Sequence, residues 1–400
     1  MLLLRCYPRI TDWLFDVTSI DLRFLPIYSY GFFVAMGFIV AAAIAAWEMR
    51  RRETLGLFNY TTKTIITGQA PKPLDVLLNA LLGFVIGLKL VGIMLDKTTF
   101  SINPQAYIFS MEGSWLGGVI GAAIMGGYYF YSRKKEQLPE PKTEIIKIYP
   151  SQQIGDLVVI AAVLGISGAN IFNFLENPED LQAFMQDPIG SMFSGLSVLG
   201  GLIFAGIGFG LYAYFKKIHI LHLFDSVAPG YILANGIGRI GCHVSGDGDW
   251  GIVNTAAKPD WIPQFLWSND YAHNIIGAGV PIEGCLGNFC THLDPPVLPT
   301  PLYEFAECAL ICVLLLSVRK IYTYMPGMIF LFFLVLNGIQ RYTIEQVRDI
   351  SDRNLIDVFG FHLKQAELIS IIMSVVGTLG AIALWQYYKK HPHRVDLQKK

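Results

Sequence analysis

Apolar runs of about twenty residues recur along this chain. Each is long enough to cross the roughly 30 Å hydrocarbon core of a bilayer as a helix. They occupy 28–47, 75–95, 114–131, 156–175, 195–215, 224–243, 302–318, 327–344 and 365–386. In hydrocarbon a backbone must satisfy its own N–H and C=O groups, which leaves only helices and closed barrels. Barrel strands alternate apolar and polar residues, whereas these runs are continuous. The expected fold is therefore all-α, a polytopic transmembrane helical bundle of about nine spans. Only 15% of the residues are charged, against about 25% in soluble domains. The formal net charge of −1 by itself points to no partner, and no nucleic acid is expected.

The distribution of charge is more informative. Arg50, Arg51, Arg52, Lys63 and Lys72 follow the first run, and Arg133, Lys134, Lys135, Lys142 and Lys147 follow the third. Lys216 and Lys217 follow the fifth, Arg319 and Lys320 the seventh, and Lys389, Lys390, Arg394, Lys399 and Lys400 fill the tail. The intervening loops are poor in base: 176–187 is acidic, and 252–298 contains only Lys258. Basic loops stay in the cytoplasm, so the N-terminus is expected outside and the C-terminus in the cytoplasm. The apolar start at Met1 is only a few residues long, with Arg5 and Arg9 behind it, and no cleavable signal peptide is expected. Cys285 and Cys290 share an external loop where a small disulfide can form, with two free thiols as the alternative. Cys6, Cys308 and Cys312 read as small apolar fillers.

A two-helix unit reads twice. Asn103-Pro104 to Lys135 resembles Asp187-Pro188 to Lys217, with Phe109-Ser110 against Phe193-Ser194 and Ser114-Trp115-Leu116-Gly117-Gly118 against Ser197-Val198-Leu199-Gly200-Gly201. Gly126 to Tyr131 echoes Gly208 to Tyr212, and Asp75 with Leu82-Gly83 echoes Asp156 with Leu164-Gly165, at an offset of about 83 residues. Two spans per copy make this a parallel repeat, unlike the inverted repeats of many transporters. The chain then divides into an N-terminal segment with the first span (1–74), an extra repeat copy (75–135), and a second copy followed by a polar helix end (155–252). An external loop (253–298) and three C-terminal spans with a cytoplasmic tail (299–400) complete it.

Polar residues inside the runs converge at one depth. Arg239 lies near the end of the sixth run, where an arginine costs roughly 2.5–3.5 kcal/mol on translocon scales unless it meets a cavity or partner. Behind it, Gly246-Asp247-Gly248-Asp249-Trp250-Gly251 forms a turn that can bring backbone N–H groups to an anion. Arg341, Glu345 and Arg348, at spacings of four and three, share one helix face. Tyr303 and Glu304 open the seventh run behind Pro299 and Pro301, and Tyr28 and Tyr30 open the first. On the expected topology all of these reach the outer-leaflet boundary. An interfacial salt bridge accounts for Arg341, Glu345 and Arg348 taken alone, and the helix dipole accounts for a glutamate in a first turn. Two arginines from different helices at one depth instead suit a phospholipid phosphate, because guanidinium forks match phosphate oxygens. Asp247 and Asp249 lack the twelve-residue loop and closing glutamate of a calcium site. The histidines lack zinc spacing, and no phosphate-binding loop occurs. No metal or cofactor is expected.

These motifs resemble the prolipoprotein diacylglyceryl transferase family. Gly238, Arg239, Gly241, Gly246 and Gly251 match its signature Gly-Arg-x-Gly-Asn-x-x-Asn-Gly-Glu-x-x-Gly, while Cys242 and Ser245 replace the asparagines and Asp247 replaces the glutamate. One residue is inserted before Trp250-Gly251. Asp225 and Pro229 resemble the residues preceding the signature. Pro299 with Leu302-Tyr303-Glu304 resembles its His-Pro-Ser-x-Leu-Tyr-Glu, with Leu298 for the histidine. Arg341, Glu345 and Arg348 match its Arg-x-x-x-Glu-x-x-Arg helix, and Tyr30-Gly31 its first helix. The resemblance covers about 28–48, 155–252 and 298–388. The family's His-Gly-Gly histidine is replaced by Leu199, or by Leu116 in the other copy. Its further arginine falls near Ala169, or Lys89 in the other copy. The family has seven spans, so one copy is extra, and the second copy, adjacent to the signature, is the better fit to the family position.

The resemblance implies transfer of the diacylglyceryl group of phosphatidylglycerol to the lipobox cysteine of lipoprotein precursors, forming a thioether and releasing glycerol phosphate. It places the enzyme in the bacterial inner membrane, facing the outer leaflet. Arg239 and Arg341 would stabilise the leaving phosphate, supported by Glu345 and Glu304. His243, four residues beyond Arg239, is a candidate base, with Glu304, Asp247 or the lipid phosphate as alternatives. Substrate contacts are expected from Tyr30, Asp225, Gly241, Ser245, Asp247, Gly251, Tyr303 and Arg348. The partners are phosphatidylglycerol and lipoprotein precursor signal peptides. A phospholipid transporter or flippase, and a non-catalytic lipid-binding membrane protein, are the rival readings.

Overall fold

The computed structural model describes residues 5–25, 27–96, 100, 107–108, 110–186, 188, 197–348, 355–358 and 361–391. Among these, nine long helices coincide with the nine apolar runs. They are α1 (Ser29–Thr54), α2 (Pro73–Leu95), α3 (Trp115–Lys135), α4 (Ile154–Glu176), α5 (Val198–Phe215), α6 (Ile220–Ser245), α7 (Thr300–Val318), α8 (Met328–Glu345) and α9 (Gln365–Lys390). Six helical segments, those of α1, α2, α4, α7, α8 and α9, are long and apolar enough to cross a membrane. The three others fall outside that set: α3 ends in Arg133, Lys134 and Lys135, α5 is a shorter apolar helix, and α6 contains Asp225, Arg239 and His243.

Helix α6 is the hub. It packs along α1 on one side and α7 on the other, while α8 packs on α9 and α4 on α5. Between α6, α7 and α8 lies a core of Ala228, Ile232, Cys308, Ile311, Cys312, Leu315, Ile329 and Phe333. A second core joins α1, α4, α5 and α6 through Met49, Leu157, Ala213 and Leu223. Cys6, Cys308 and Cys312 are buried and unbonded to other sulfurs, and Cys285 and Cys290 form a disulfide. The loop 253–298 is braced by a two-stranded hairpin, Val280–Pro281 with Thr291–His292. A third strand pair joins Leu355–Val358 to Phe361–Lys364.

One feature departs from an all-α reading. Strands β1 (Thr61–Thr67) and β2 (Lys142–Ile148) form an antiparallel ribbon. Both are rich in β-branched residues, which suit pleated backbone, but the strands are too far apart in sequence for a hairpin signal. The ribbon relates the two helix pairs. Thr64 pairs with Ile145, the residue 81 positions later, and the ladder is symmetric about that pair. Pro73–Leu95 and Ile154–Glu176 start and end at the same interval, as do Asp75 and Asp156. Across each pair a tyrosine meets that aspartate: Tyr129 Oη lies 3.5 Å from Asp75, and Tyr212 Oη 2.9 Å from Asp156. The interval is 81 residues through the strand and first helix, and grows to 83 at Ser114 and Ser197, the N-caps of α3 and α5. Leu82-Gly83 therefore aligns with Val163-Leu164, one position before Leu164-Gly165, and two extra residues between Glu176 and Ser197 raise the interval only beyond the first helix. Gly87 and Gly168 are the equivalent positions. A Cβ at Gly87 would lie 2.2 Å from the carbonyl oxygen of Gly117, so only glycine permits α2 and α3 to approach this closely. Asn103, Pro104, Phe109, Asp187, Phe193, Ser194, Arg394, Lys399 and Lys400 lie outside the described residues.

Candidate active site

Helix α6 ends at Gly246, which is left-handed at φ 65° and ψ 56°. Glycine adopts that conformation without steric penalty, and the chain reverses there to carry Asp249 back toward Arg239. Gly251 then pairs with Arg348 as an antiparallel bridge, and Ile252 N donates to Val347 O at 3.0 Å. Helices α6, α7 and α8 thus converge on one turn.

Their side chains form a neutralised cluster of three guanidinium and three carboxylate groups. Glu304, 1% exposed, sits at its centre. Its Oε2 lies 2.5 Å from Arg239 Nε, and its Oε1 lies 3.4 Å from Arg348 Nη2 and 3.7 Å from Arg341 Nη1. Asp249 pairs with Arg239 and lies 2.8 Å from Arg348 Nη2. Glu345, one turn on from Arg341, holds Arg341 Nη2 at 3.4 Å. Arg341 Nη1 and Arg348 Nη2 are buried with no acceptor in hydrogen-bonding geometry among the described residues. Burial pushes Asp249 up, but Arg239, Arg348 and Arg341 outweigh it and hold the carboxyl below its usual range.

The structure brings Arg239, Glu304, Arg341, Glu345 and Arg348 together. Two glycines permit close approach at its edge. A Cβ on Gly241 would meet Phe33 Cβ at 3.0 Å and Tyr30 Cα at 3.2 Å, and one on Gly251 would meet Val347 O at 2.7 Å. Tyr30 is thereby seated against α6, beside the cluster, and remains half exposed.

Four residues are placed elsewhere. Asp225 lies at the opposite end of α6 from Arg239, about 20 Å away by helical rise. There it accepts from Gly327 N at 2.8 Å and Phe330 N at 2.9 Å, and pairs with buried Arg52 at 3.4 Å. It satisfies the orphan N–H groups that open α8 and does not reach the cluster. His243 is buried beneath the loop 253–298, with Nδ1 3.0 Å from Tyr271 Oη. Its neighbours there are loop aromatics, because the tight turn at Gly246 folds the loop over that face. Ser245 turns back on its own helix, donating to Cys242 O at 3.3 Å. Tyr303 donates to Leu266 O at 2.6 Å, tying α7 to the loop 253–298.

Asp249 and Thr300 are the residues that sequence reasoning did not place in the cluster. The Thr300 hydroxyl donates to Asp249 O at 2.9 Å and fixes the turn. The Asp-Gly-Asp spacing was the available signal, but which aspartate faces Arg239 depends on Gly248, whose φ is 102°. Cys242, Asp247 and Asp249 place their sulfur and carboxylate oxygens within 4.8 Å of one another. Two guanidinium groups already neutralise Asp249, and their charge opposes a cation in that position.

A family described as prolipoprotein diacylglyceryl transferase matches residues 141–383, more than half of the chain. The phosphatidylglycerol–prolipoprotein diacylglyceryl transferase of Staphylococcus haemolyticus is 26% identical over 300 residues, covering 74% of this chain and 90% of the relative. That of Clostridium novyi is 28% identical over 281 residues, covering 70% and 94%. The match of the family begins at β2 and leaves out α1, β1, α2 and α3.

Proposed function

The chain belongs to the prolipoprotein diacylglyceryl transferase family, and from that premise we propose that it transfers the diacylglyceryl group of phosphatidylglycerol to the lipobox cysteine thiol of lipoprotein precursors. The observation that carries this reading is the meeting of Arg239, Arg341 and Arg348 around buried Glu304.

The reaction breaks a carbon–oxygen bond to phosphate and forms a carbon–sulfur bond. Its main electrostatic demand is the charge gathering on departing glycerol phosphate. Preorganised donors in a water-poor site meet that demand best. Arg341 Nη1 and Arg348 Nη2, buried and without an acceptor in hydrogen-bonding geometry, are the donors nearest to hand. Glu304, Asp249 and Glu345 fix the guanidinium planes, so little reorganisation accompanies phosphate binding. Tyr30 and the Gly241 and Gly251 edges border the space for the lipid head group. Arg348, named above only as a substrate contact, is read as an equal member of the clamp.

Nine spans with the N-terminus outside fit this reading. Basic residues close α1 at Arg51 and Arg52, α3 at Arg133 to Lys135, and α9 at Lys389 and Lys390. Under the positive-inside rule that distribution supports a cluster at the outer leaflet of a bacterial inner membrane. The symmetric ribbon and the shared Asp–Tyr contact support a duplication, with α4 and α5, which lie inside the family match, as the family copy and α2 and α3 as the added one.

The test uses the purified chain in vesicles of labelled phosphatidylglycerol with a lipobox peptide. Thioether product and released glycerol phosphate are expected. Lipid movement between leaflets without consumption would replace this reading by a transporter. Lipid retention with neither would replace it by a binding component.

A further inference from the structure

A thiol needs a proton acceptor before it attacks carbon, because its usual pKa is near 8.5. The turn after α6 contains two carboxylates with different surroundings. Asp249 is pinned by Arg239 and Arg348, which makes it a poor base. Asp247 makes no such ion pair among the described residues. One of its oxygens accepts from Asp249 N at 3.3 Å, and the Cys242 sulfur lies within 4.8 Å of its carboxylate. A carboxylate offers about four acceptor positions, so an incoming thiol can also donate to it. The groups surrounding it are Arg239 and Cys242 from α6, Asp249 from the same turn, Tyr30 from α1, Cys6 from the N-terminal segment and Tyr271 from the external loop.

We propose that Asp247 is the general base that takes the proton from the incoming cysteine thiol. This rests on the transfer reading and assigns a step it leaves open. The carboxylate removes the S–H proton as sulfur bonds to the glycerol carbon of the lipid. The bond from that carbon to the phosphate oxygen breaks, and glycerol phosphate leaves with the electron pair toward the arginine clamp. Asp247, partly exposed, then returns its proton to the aqueous outer side. Burial and the adjacent charge of Asp249 push its carboxyl above the usual range, which strengthens it as a base. His243, bonded to Tyr271 under the loop, is left with packing.

The experiment measures thioether formation by wild type and Asp247→Asn across pH, with a cysteine lipobox peptide and with its selenocysteine counterpart. A selenol ionises without a base. With the cysteine peptide the variant should lose roughly 10²–10⁴-fold in kcat, with KM for phosphatidylglycerol within about twofold. With the selenol peptide the deficit should shrink to less than about tenfold. Asp249→Asn, which loosens the clamp, should instead raise that KM and gain nothing from the selenol. An Asp247→Asn enzyme with the wild-type rate and pH profile, or with an equal deficit on both peptides, would overturn the assignment. A wild-type chain that makes neither product would overturn the transfer reading itself.

Discussion

Glu304 Oε2 lies 2.5 Å from Arg239 Nε, so a carboxylate near the start of α7 is locked to a guanidinium near the end of α6. Its other oxygen faces Arg341 and Arg348. One buried carboxylate therefore sets the spacing of three positive charges. Removing one member of a buried ion pair costs about 3–5 kcal/mol. Glu304→Gln should lower the melting temperature in detergent sharply and abolish transfer, whereas Glu304→Asp should keep part of both. Melting curves and product formation check this.

Arginine presents a planar fork where lysine presents a point charge. Arg341→Lys should keep the charge and lose the geometry shared with Glu345 and Glu304. A loss of about 10²–10³ in kcat is expected, as for removal of one transition-state donor. Steady-state kinetics against phosphatidylglycerol concentration measure it.

Asp247 and Asp249 should affect stability with opposite signs. Asp249 titrates below its unfolded range. Its stabilisation is present above the unfolded pKa, near 3.9, and is lost as pH falls through the lower folded value. Asp249→Asn should therefore lower the melting temperature at neutral pH, and the deficit should fade in acid. Asp247 titrates above its unfolded range. Its favourable contribution exists only below the unfolded pKa and is lost as pH rises through the folded value. Asp247→Asn should melt at or above the wild-type temperature at neutral pH. Thermal melts from pH 3 to 8 decide both.

Asp225 closes the N-terminus of α8 and pairs with Arg52, far from the arginine clamp. Asp225→Asn should destabilise the fold by about 3–5 kcal/mol as a broken buried pair. KM for phosphatidylglycerol should remain unchanged in the folded fraction. A selective rise in that KM would place Asp225 at the site after all.

Gly87 meets the backbone of Gly117 across the α2–α3 contact. Gly87→Leu should force these helices apart, visible as lost cross-linking between engineered cysteines on α2 and α3. If the pair is accessory, the transfer rate should change by less than about threefold, a difference under 1 kcal/mol.

The site was partly legible in the sequence. Arg341 and Glu345 are one helical turn apart, and their ion pair follows from helix geometry alone. Arg239 stood out because an arginine in an apolar run needs a partner. That the partner is Glu304, more than sixty residues away, required the packing of α6 on α7. The choice of Asp249 over Asp247 rests on two glycines of positive φ, Gly246 and Gly248, whose turn geometry the residue types permit without specifying. Asp225 was misread because proximity to the signature in sequence becomes distance along a straight helix.

The chain by itself determined where its long helices lie. Helix formation in an apolar run is a local demand, set by hydrogen bonds that close within four residues. The tertiary structure alone decided which charges meet, how the β1–β2 ribbon forms, and which end of α6 each polar group serves. Those contacts join residues far apart along the chain, and their energies depend on burial and distance that no local pattern encodes.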